Sequence, residues 1–253
     1  MSMHRIVSIV PSQTELLFHL GVGSLVVGRT KFCIHPAPAV SRVPVVGGTK
    51  NVDIERVAAL KPTLILANRE ENTRADVEAL QAIAPVHVTD VNTLPDALQM
   101  ICDVGQLTGK NAEAEQLTSE IGQSMATLTP PSTRPSVAYL IWRKPWMVAA
   151  ADTFIDAMLT AAGFTNVFSD RTRYPVVDEA DWQTVRPDLI FLSSEPYPFK
   201  DRHMAELQQL CPLARIRLVD GELFSWYGSR LRQSAAYFRQ LQNDTNQSLF
   251  VPL

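Results

Sequence analysis

Flat rings and cations recur together at four places in the second half of this chain of 253 residues. Trp142-Arg143-Lys144-Pro145-Trp146, Tyr197-Pro198-Phe199 and Phe224-Ser225-Trp226-Tyr227 each follow, directly or by way of a short loop, a segment that reads as a strand. Arg173-Tyr174-Pro175 stands just before a helical segment, and Arg230 follows close behind Tyr227. Aromatic rings supply large contact area at low conformational cost, and guanidinium groups answer carboxylates or phosphates. Trp142, Trp146, Tyr174, Trp226 and Tyr227 therefore read as the wall of a ligand site, with Arg143, Arg173 and Arg230 as its polar anchors. The pattern suits a broad, partly apolar, anionic or amphipathic small molecule. The competing structural reading is that the same rings close a core at the edges of sheets.

Other chemistry is thinner. Cys33-Ile34-His35 puts two soft-metal donors on one loop, but no second Cys/His pair exists to complete a metal site. No metal site is therefore assigned, and His35 is a candidate for contact with a ligand, capping a metal already held in a chelate. His87 reads as a structural histidine in a strand, and His4, His19 and His203 as surface or helix residues. No nucleophile elbow, paired-histidine zinc motif, dinucleotide fingerprint or phosphate loop appears. Val46-Gly47-Gly48-Thr49-Lys50-Asn51 reads as a tight turn that lets backbone approach a ligand. Glu70 with Glu195 or Asp178 is the one acid/base pairing available, and no catalytic residue is assigned.

The elements that must position these residues are stated twice. Asp53 to Ala67 reads DIERVAALKPTLILA, and Asp178 to Leu192 reads DEADWQTVRPDLIFL. Asp53 matches Asp178, Lys61-Pro62 matches Arg186-Pro187 and Glu70 matches Glu195, all at one offset (178 − 53 = 125). Each copy predicts a short helix, a basic-Pro break and a buried strand that delivers a glutamate to its carboxyl end. Around the copies, strands at 5–10, 25–28, 86–88, 136–141 and 216–219 alternate with helices at 15–20, 73–84, 154–162, 202–210 and 230–242. Ser12 or Thr14 is expected to cap the first of those helices. Alternation of this kind implies parallel sheets with ligands beyond the carboxyl ends of the strands.

A helical pattern runs from Leu94 to Leu128, weakened at Gly109-Lys110-Asn111, and Thr129-Pro-Pro-Ser-Thr-Arg-Pro135 ends it. The expected fold class is α/β, with two lobes, each around a mainly parallel sheet, at 1–105 and 131–253, and a ligand cleft between them. A net charge of −3 gives no reason to expect nucleic acid as partner, and no stretch has the length of a membrane span. Three widely spaced cysteines read as free thiols. No secretion signal is visible at the start, so the expected location is cytoplasmic; a leader removed beforehand would make it periplasmic or cell-surface.

The opening RIVSIVPSQTELLFHLGVGSLVVGRTKFCIHP and the following VVGGTKNVDIERVAALKPTLILA resemble substrate-binding proteins of ABC importers. AGFTNVF, DWQTVRPDLIFLS and GELFSWYGSRL continue the pattern in order over most of the chain. The group resembled is the one with a helical backbone that takes up cobalamin, haem and iron–siderophores, and the likeness is nearest to its cobalamin-binding branch. The resemblance implies two α/β lobes joined by one long, stiff linking helix at 106–130, little hinge motion, and non-catalytic binding of one ligand between the lobes. No cofactor is required; cobalamin, haem or a ferric siderophore would be the cargo. It also implies a surface glutamate on each lobe that docks on a membrane permease if the protein is exported, with Glu70 or Glu71 on the first lobe and Glu195 on the second. A cytoplasmic enzyme or sensor using the same cleft on a related cofactor is the alternative.

Overall fold

The computed structural model describes residues 4–247; the expectations that extend over residues 1–3 and 248–253 lie outside it. The described chain divides into two compact units. One comprises the residues up to Val91 with Pro95–Ile121 and Trp226–Leu231, and the other Asn92–Leu94, Gly122–Ser225 and the residues from Arg232 on.

The first unit contains β1 (Ile6–Ser8), α1 (Pro11–His19), β2 (Val26–Arg29), β3 (Gly47–Gly48), β4 (Asn51–Val52), α2 (Ile54–Ala59), β5 (Leu64–Asn68), α3 (Arg74–Gln81), β6 (Val86–Thr89) and nearly all of α4 (Leu94–Thr108). Its sheet has the order β2-β1-β5-β6 with every pairing parallel. Strands covered on both faces need unbroken apolar runs, and β1 and β5 are buried at every position. Val7, Ile9, Val57, Ile65, Ala67 and Leu80 pack together under that sheet.

The helix α5 (Asn111–Ala126) falls inside the span 106–130. Gly109, at φ +70°, separates it from α4, and the boundary between the units falls within it at Ile121/Gly122. The second unit holds β7 (Ser136–Trp142), β8 (Met147–Val148), α6 (Phe154–Ala161), β9 (Thr165–Asn166), α7 (Glu179–Val185), β10 (Leu189–Ser193), α8 (Asp201–Leu210), β11 (Arg215–Val219), α9 (Glu222–Ser225) and α10 (Leu231–Gln247), apart from Leu231. Its sheet runs β11-β10-β7-β8, with β9 also on β7; all pairings are parallel except the β7–β8 hairpin. The segment expected as a plain loop after Trp142 is thus partly a strand that returns on β7. Ala138, Leu140, Val148, Ile190, Leu192, Phe168 and Trp182 fill the core of this unit.

The duplicated segments fold alike for legible reasons. The Asp53 carboxylate accepts the Arg56 N–H at 3.0 Å and starts α2. Asp178 accepts the Asp181 N–H at 3.0 Å and starts α7, and Asp181 returns the bond to the Asp178 N–H at 3.0 Å. Such caps satisfy backbone donors that a helix leaves open at its first turn. Lys61 (φ +48°) and Arg186 (φ +40°) then take left-handed backbone just before their prolines. Proline disfavours helical geometry in the residue ahead of it, so the helix stops and the chain turns into the strand.

One local expectation is corrected. The first helix begins at Pro11 rather than Glu15, with Val10 at the cap and no side-chain cap bond. Proline at the first turn has its φ preset and no N–H to satisfy, so Ser12 and Thr14 lie inside the helix. Thr14 instead donates to Val10 O at 2.9 Å and Ser8 Oγ at 2.8 Å. The glycine-rich segment at 46–51 does turn tightly, at Thr49-Lys50 between β3 and β4, and a Cβ on Gly47, at φ +114°, would lie 2.5 Å from Asn51 O.

Candidate functional site

β7 is interior to its sheet and ends on Trp142, whose side chain remains 41% exposed. The Trp142 ring meets Tyr197 in a T-shape at 5.6 Å and 70°. Tyr197 in turn lies 4.8 Å from Phe199, and Phe199 stacks on Trp146 at 6.2 Å with a 7° tilt. The loops after β7 and β10 therefore bring Trp142, Trp146, Tyr197 and Phe199 into one aromatic cluster. Its inner members pack on the core of the unit, and Trp142 is its exposed edge.

The cations expected as anchors are engaged locally. Arg143 donates from Nε to Glu206 Oε2 at 2.7 Å and lies 5.3 Å over the Trp146 ring. Arg173 donates to Asp152 O at 2.8 Å and Asn92 Oδ1 at 3.2 Å, with its guanidinium 5.7 Å from the Tyr174 ring. Arg173 has left-handed backbone, φ +63°, held by bonds to Ala151 O (2.8 Å) and from the Ala150 N–H (2.9 Å). A non-glycine residue in that region is uncommon, and it fixes where Tyr174 leaves the chain.

Trp226, Tyr227 and Arg230 group with the first unit, not with the Trp142 cluster. Trp226 and Tyr227 are each only 6% exposed. Trp226 meets His35 edge-on at 5.3 Å, and the Arg230 guanidinium lies 5.0 Å over the Trp226 ring. Arg230 grips Glu15 of α1 with two bonds, 3.1 and 2.7 Å. His35, Trp226, Arg230 and Glu15 thus form one chain of contacts. Cys33 turns inward from the same loop to Thr14 and Thr30, at 3.1 and 3.2 Å, and burial pushes its thiol pKa up. Among the described residues no group of three His, Cys, Asp or Glu stands in metal-binding array. Phe32 and Ile34, each 50% exposed beside His35, were not singled out from sequence. Their position in a proline-rich loop after a strand was the available signal.

The paired glutamates are reached in parallel ways. Asn68, the last residue of β5, accepts the Glu70 and Glu71 N–H groups at 2.9 and 3.1 Å. Ser193, the last residue of β10, accepts the Glu195 N–H at 3.3 Å. The Lys50 ammonium donates to Glu70 O, whereas the Glu195 carboxylate accepts the Ser225 hydroxyl at 2.6 Å. Gly221 passes so close that a Cβ there would lie 2.2 Å from Ser193 Oγ and 2.9 Å from Glu195 Cγ. Asp178 is committed to its helix cap.

A periplasmic binding protein family model matches residues 6–210. The vitamin B12-binding protein of Yersinia pestis is 26% identical over 194 residues, 75% of this chain and 69% of that protein. Among solved structures, the periplasmic heme binding protein of Vibrio cholerae superposes with a TM-score of 0.80 at 20% identity, covering 99% of this chain and 100% of that one. The periplasmic vitamin B12 binding protein of Vibrio cholerae gives 0.76 at 19% identity, covering 96% and 98%. These likenesses agree with the α/β fold with parallel sheets expected from the sequence. The family comprises solute-binding proteins and not enzymes, so the acid/base reading of the glutamates falls away. It is a periplasmic family, which gives no support to a cytoplasmic location. Among the described residues no helix is long and apolar enough to cross a membrane. By fold, by repeat and by the matched span, the chain belongs to the periplasmic binding protein family.

Proposed function

We propose that this chain is a non-catalytic receptor for a metal chelate or tetrapyrrole, with cobalamin favoured and haem or a ferric siderophore as the other cargoes. The observation that carries this reading is Trp142, a large ring left open at the end of an interior strand and backed by Tyr197. A rigid exposed ring loses unfavourable hydration when a flat or apolar ligand face covers it. The vitamin B12-binding relatives among curated proteins support cobalamin first. The ligand is taken to lie in the interlobe cleft expected from the sequence, with lobes and linking helix near 1–105, 131–253 and 106–130.

Within that reading Trp142, Tyr174, Arg173 and His35 contact the ligand. Trp146 and Arg143 back the Trp142 wall, and Trp226, Tyr227 and Arg230 brace the loop that carries His35. Glu70 or Glu71 on the first lobe and Glu195 on the second are docking residues for an ABC permease, supported by the matched places of Glu70 and Glu195 in the repeat. The protein then works in the periplasm or at the cell surface. Spectral titration with cobalamin, haemin and a ferric siderophore tests the reading: one ligand should bind one-to-one and be recovered unchanged. Trp142→Ala should weaken that binding by about 2 kcal/mol, the scale of a truncated interfacial aromatic. Equal affinity in the variant would remove Trp142 from the site.

A further inference from the structure

His203 lies on a helix, as its sequence context suggests, yet it is only 1% exposed. Its Nδ1 accepts the Lys200 backbone N–H at 2.9 Å, satisfying a donor at the start of α8. Its Nε2 lies 3.4 Å from the Tyr197 hydroxyl. The ring meets Tyr197 and Phe199 edge-on, both at 5.5 Å. Tyr197 supports Trp142 and Phe199 supports Trp146, so one imidazole underlies both halves of the aromatic cluster.

This arrangement requires the neutral ring. The Lys200 N–H donates to Nδ1 at 2.9 Å and the Arg202 Nε–H donates to Nε2 at 3.1 Å, so both ring nitrogens face donors. The doubly protonated ring would set N–H against N–H on both sides. It would also add a positive charge beside Arg202 and near Arg143 and Lys200. Glu206 is the opposing charge, and it is already bound to Arg143. Burial and then these cations hold the His203 pKa below its ordinary value of 6.5. Because the folded-state value is the lower one, the unfolded chain takes up the proton first. The stabilising contribution is therefore complete above the ordinary value and is lost as pH falls through the folded-state value.

We propose that His203 is a positioning residue for the aromatic wall, its neutral ring holding Tyr197 and thereby Trp142, so that acid loosens the wall and weakens ligand binding. The affinity half of this claim rests on the receptor reading above, and the wall half does not. The test follows tryptophan fluorescence of the ligand-free protein between about pH 7.5 and 5, with cobalamin and haemin affinities measured at both ends. His203→Gln keeps an uncharged acceptor for the Lys200 N–H but cannot titrate there. The wild type should show a fluorescence transition and lose about tenfold in affinity, and His203→Gln should vary by less than about twofold. Arg202→Gln, which removes a facing cation, should move the transition to higher pH. An equal pH dependence in wild type and His203→Gln overturns the proposal. So does an unmoved midpoint in Arg202→Gln, which decides the matter if His203→Gln does not fold. Failure of both ligands to bind at either pH, with the transition abolished in His203→Gln, overturns the receptor reading and upholds the positioning role.

Discussion

The two copies of the repeated unit share a frame and part company at its end. In each, an aspartate caps a short helix, a left-handed basic residue before proline stops it, and a buried strand in the interior of the sheet follows. Each strand ends on a polar side chain that catches the N–H of a glutamate two residues on. Beyond that point the first copy enters α3 almost at once, through Arg69 to Thr73. The second spends Ser194 to Lys200 on the way to α8 and sets Tyr197 and Phe199 there, against Trp142 and Trp146. The repeat fixes a scaffold, because caps, breaks and strands answer to backbone chemistry that both copies must satisfy. In the receptor reading proposed above, recognition is carried where that chemistry has no further demand, in the loops at the strand ends.

The comparison can be broken most forcefully in the cores. Trp182 and Val57 hold the same place in the two copies (182 − 57 = 125), and both are buried. Trp182 meets Phe168 edge-on at 5.8 Å. Trp182→Ala should cost about 4 kcal/mol in urea unfolding, and Val57→Ala about 2. Equal costs would mean that the two frames are not packed on different scales. Trp182→Phe should cost much less than the alanine variant, because the buried Trp182 Nε1 has no hydrogen-bond partner among the described residues.

A smaller difference is expected at the loops and caps. Exchanging Tyr197-Pro198-Phe199 for Ser-Gly-Ser should leave far-UV circular dichroism unchanged while lowering ligand affinity at least as much as Trp142→Ala, about 2 kcal/mol. Removing the caps should cost about 1 kcal/mol at both Asp53→Ala and Asp178→Ala, read from thermal unfolding, because each loses one side-chain bond to a backbone N–H. The reciprocal bond at the second cap runs from the Asp178 backbone N–H to Asp181 and survives the substitution. The smallest effect is a pH effect. Arg171 and the Asp178 N–H hold the Asp181 carboxyl below its ordinary value of 3.8. Its contribution is therefore present above that value and is lost as pH falls through the lower folded-state value. Asp181→Asn should flatten the acid limb of the second unit's stability, and an unchanged limb would detach the cap from that ion pair.

Much of the fold was legible because its signals are local. Continuous apolar runs such as Leu64 to Ala67 and Leu189 to Leu192 mark strands buried on both faces, and Gly109 marks the break between α4 and α5. Site residues were less legible because their partners are distant in sequence. Arg230 reads as an anchor for a ligand until folding places Glu15 beside it, 215 residues away. Arg143 reads the same way until Glu206 arrives on α8. Trp226 and Tyr227 carry the composition of a wall but are buried, since packing decides exposure and ring type does not. His203 was legible as a helix residue only, because its burial depends on a loop that aromatic contacts fold over it.

The central claim is that an exposed ring on the second unit's strand-end cluster receives a metal chelate or tetrapyrrole that leaves unaltered. Calorimetric titration of the whole chain and of Trp142→Ala with cobalamin and haemin, followed by chromatography of the recovered ligand, tests it most directly. The account predicts one-to-one binding at about 1 μM or tighter for one of them, about 30-fold weaker binding in the variant, and ligand recovered intact. No binding of either at about 100 μM, equal affinity in the variant, or a chemically changed ligand would contradict it.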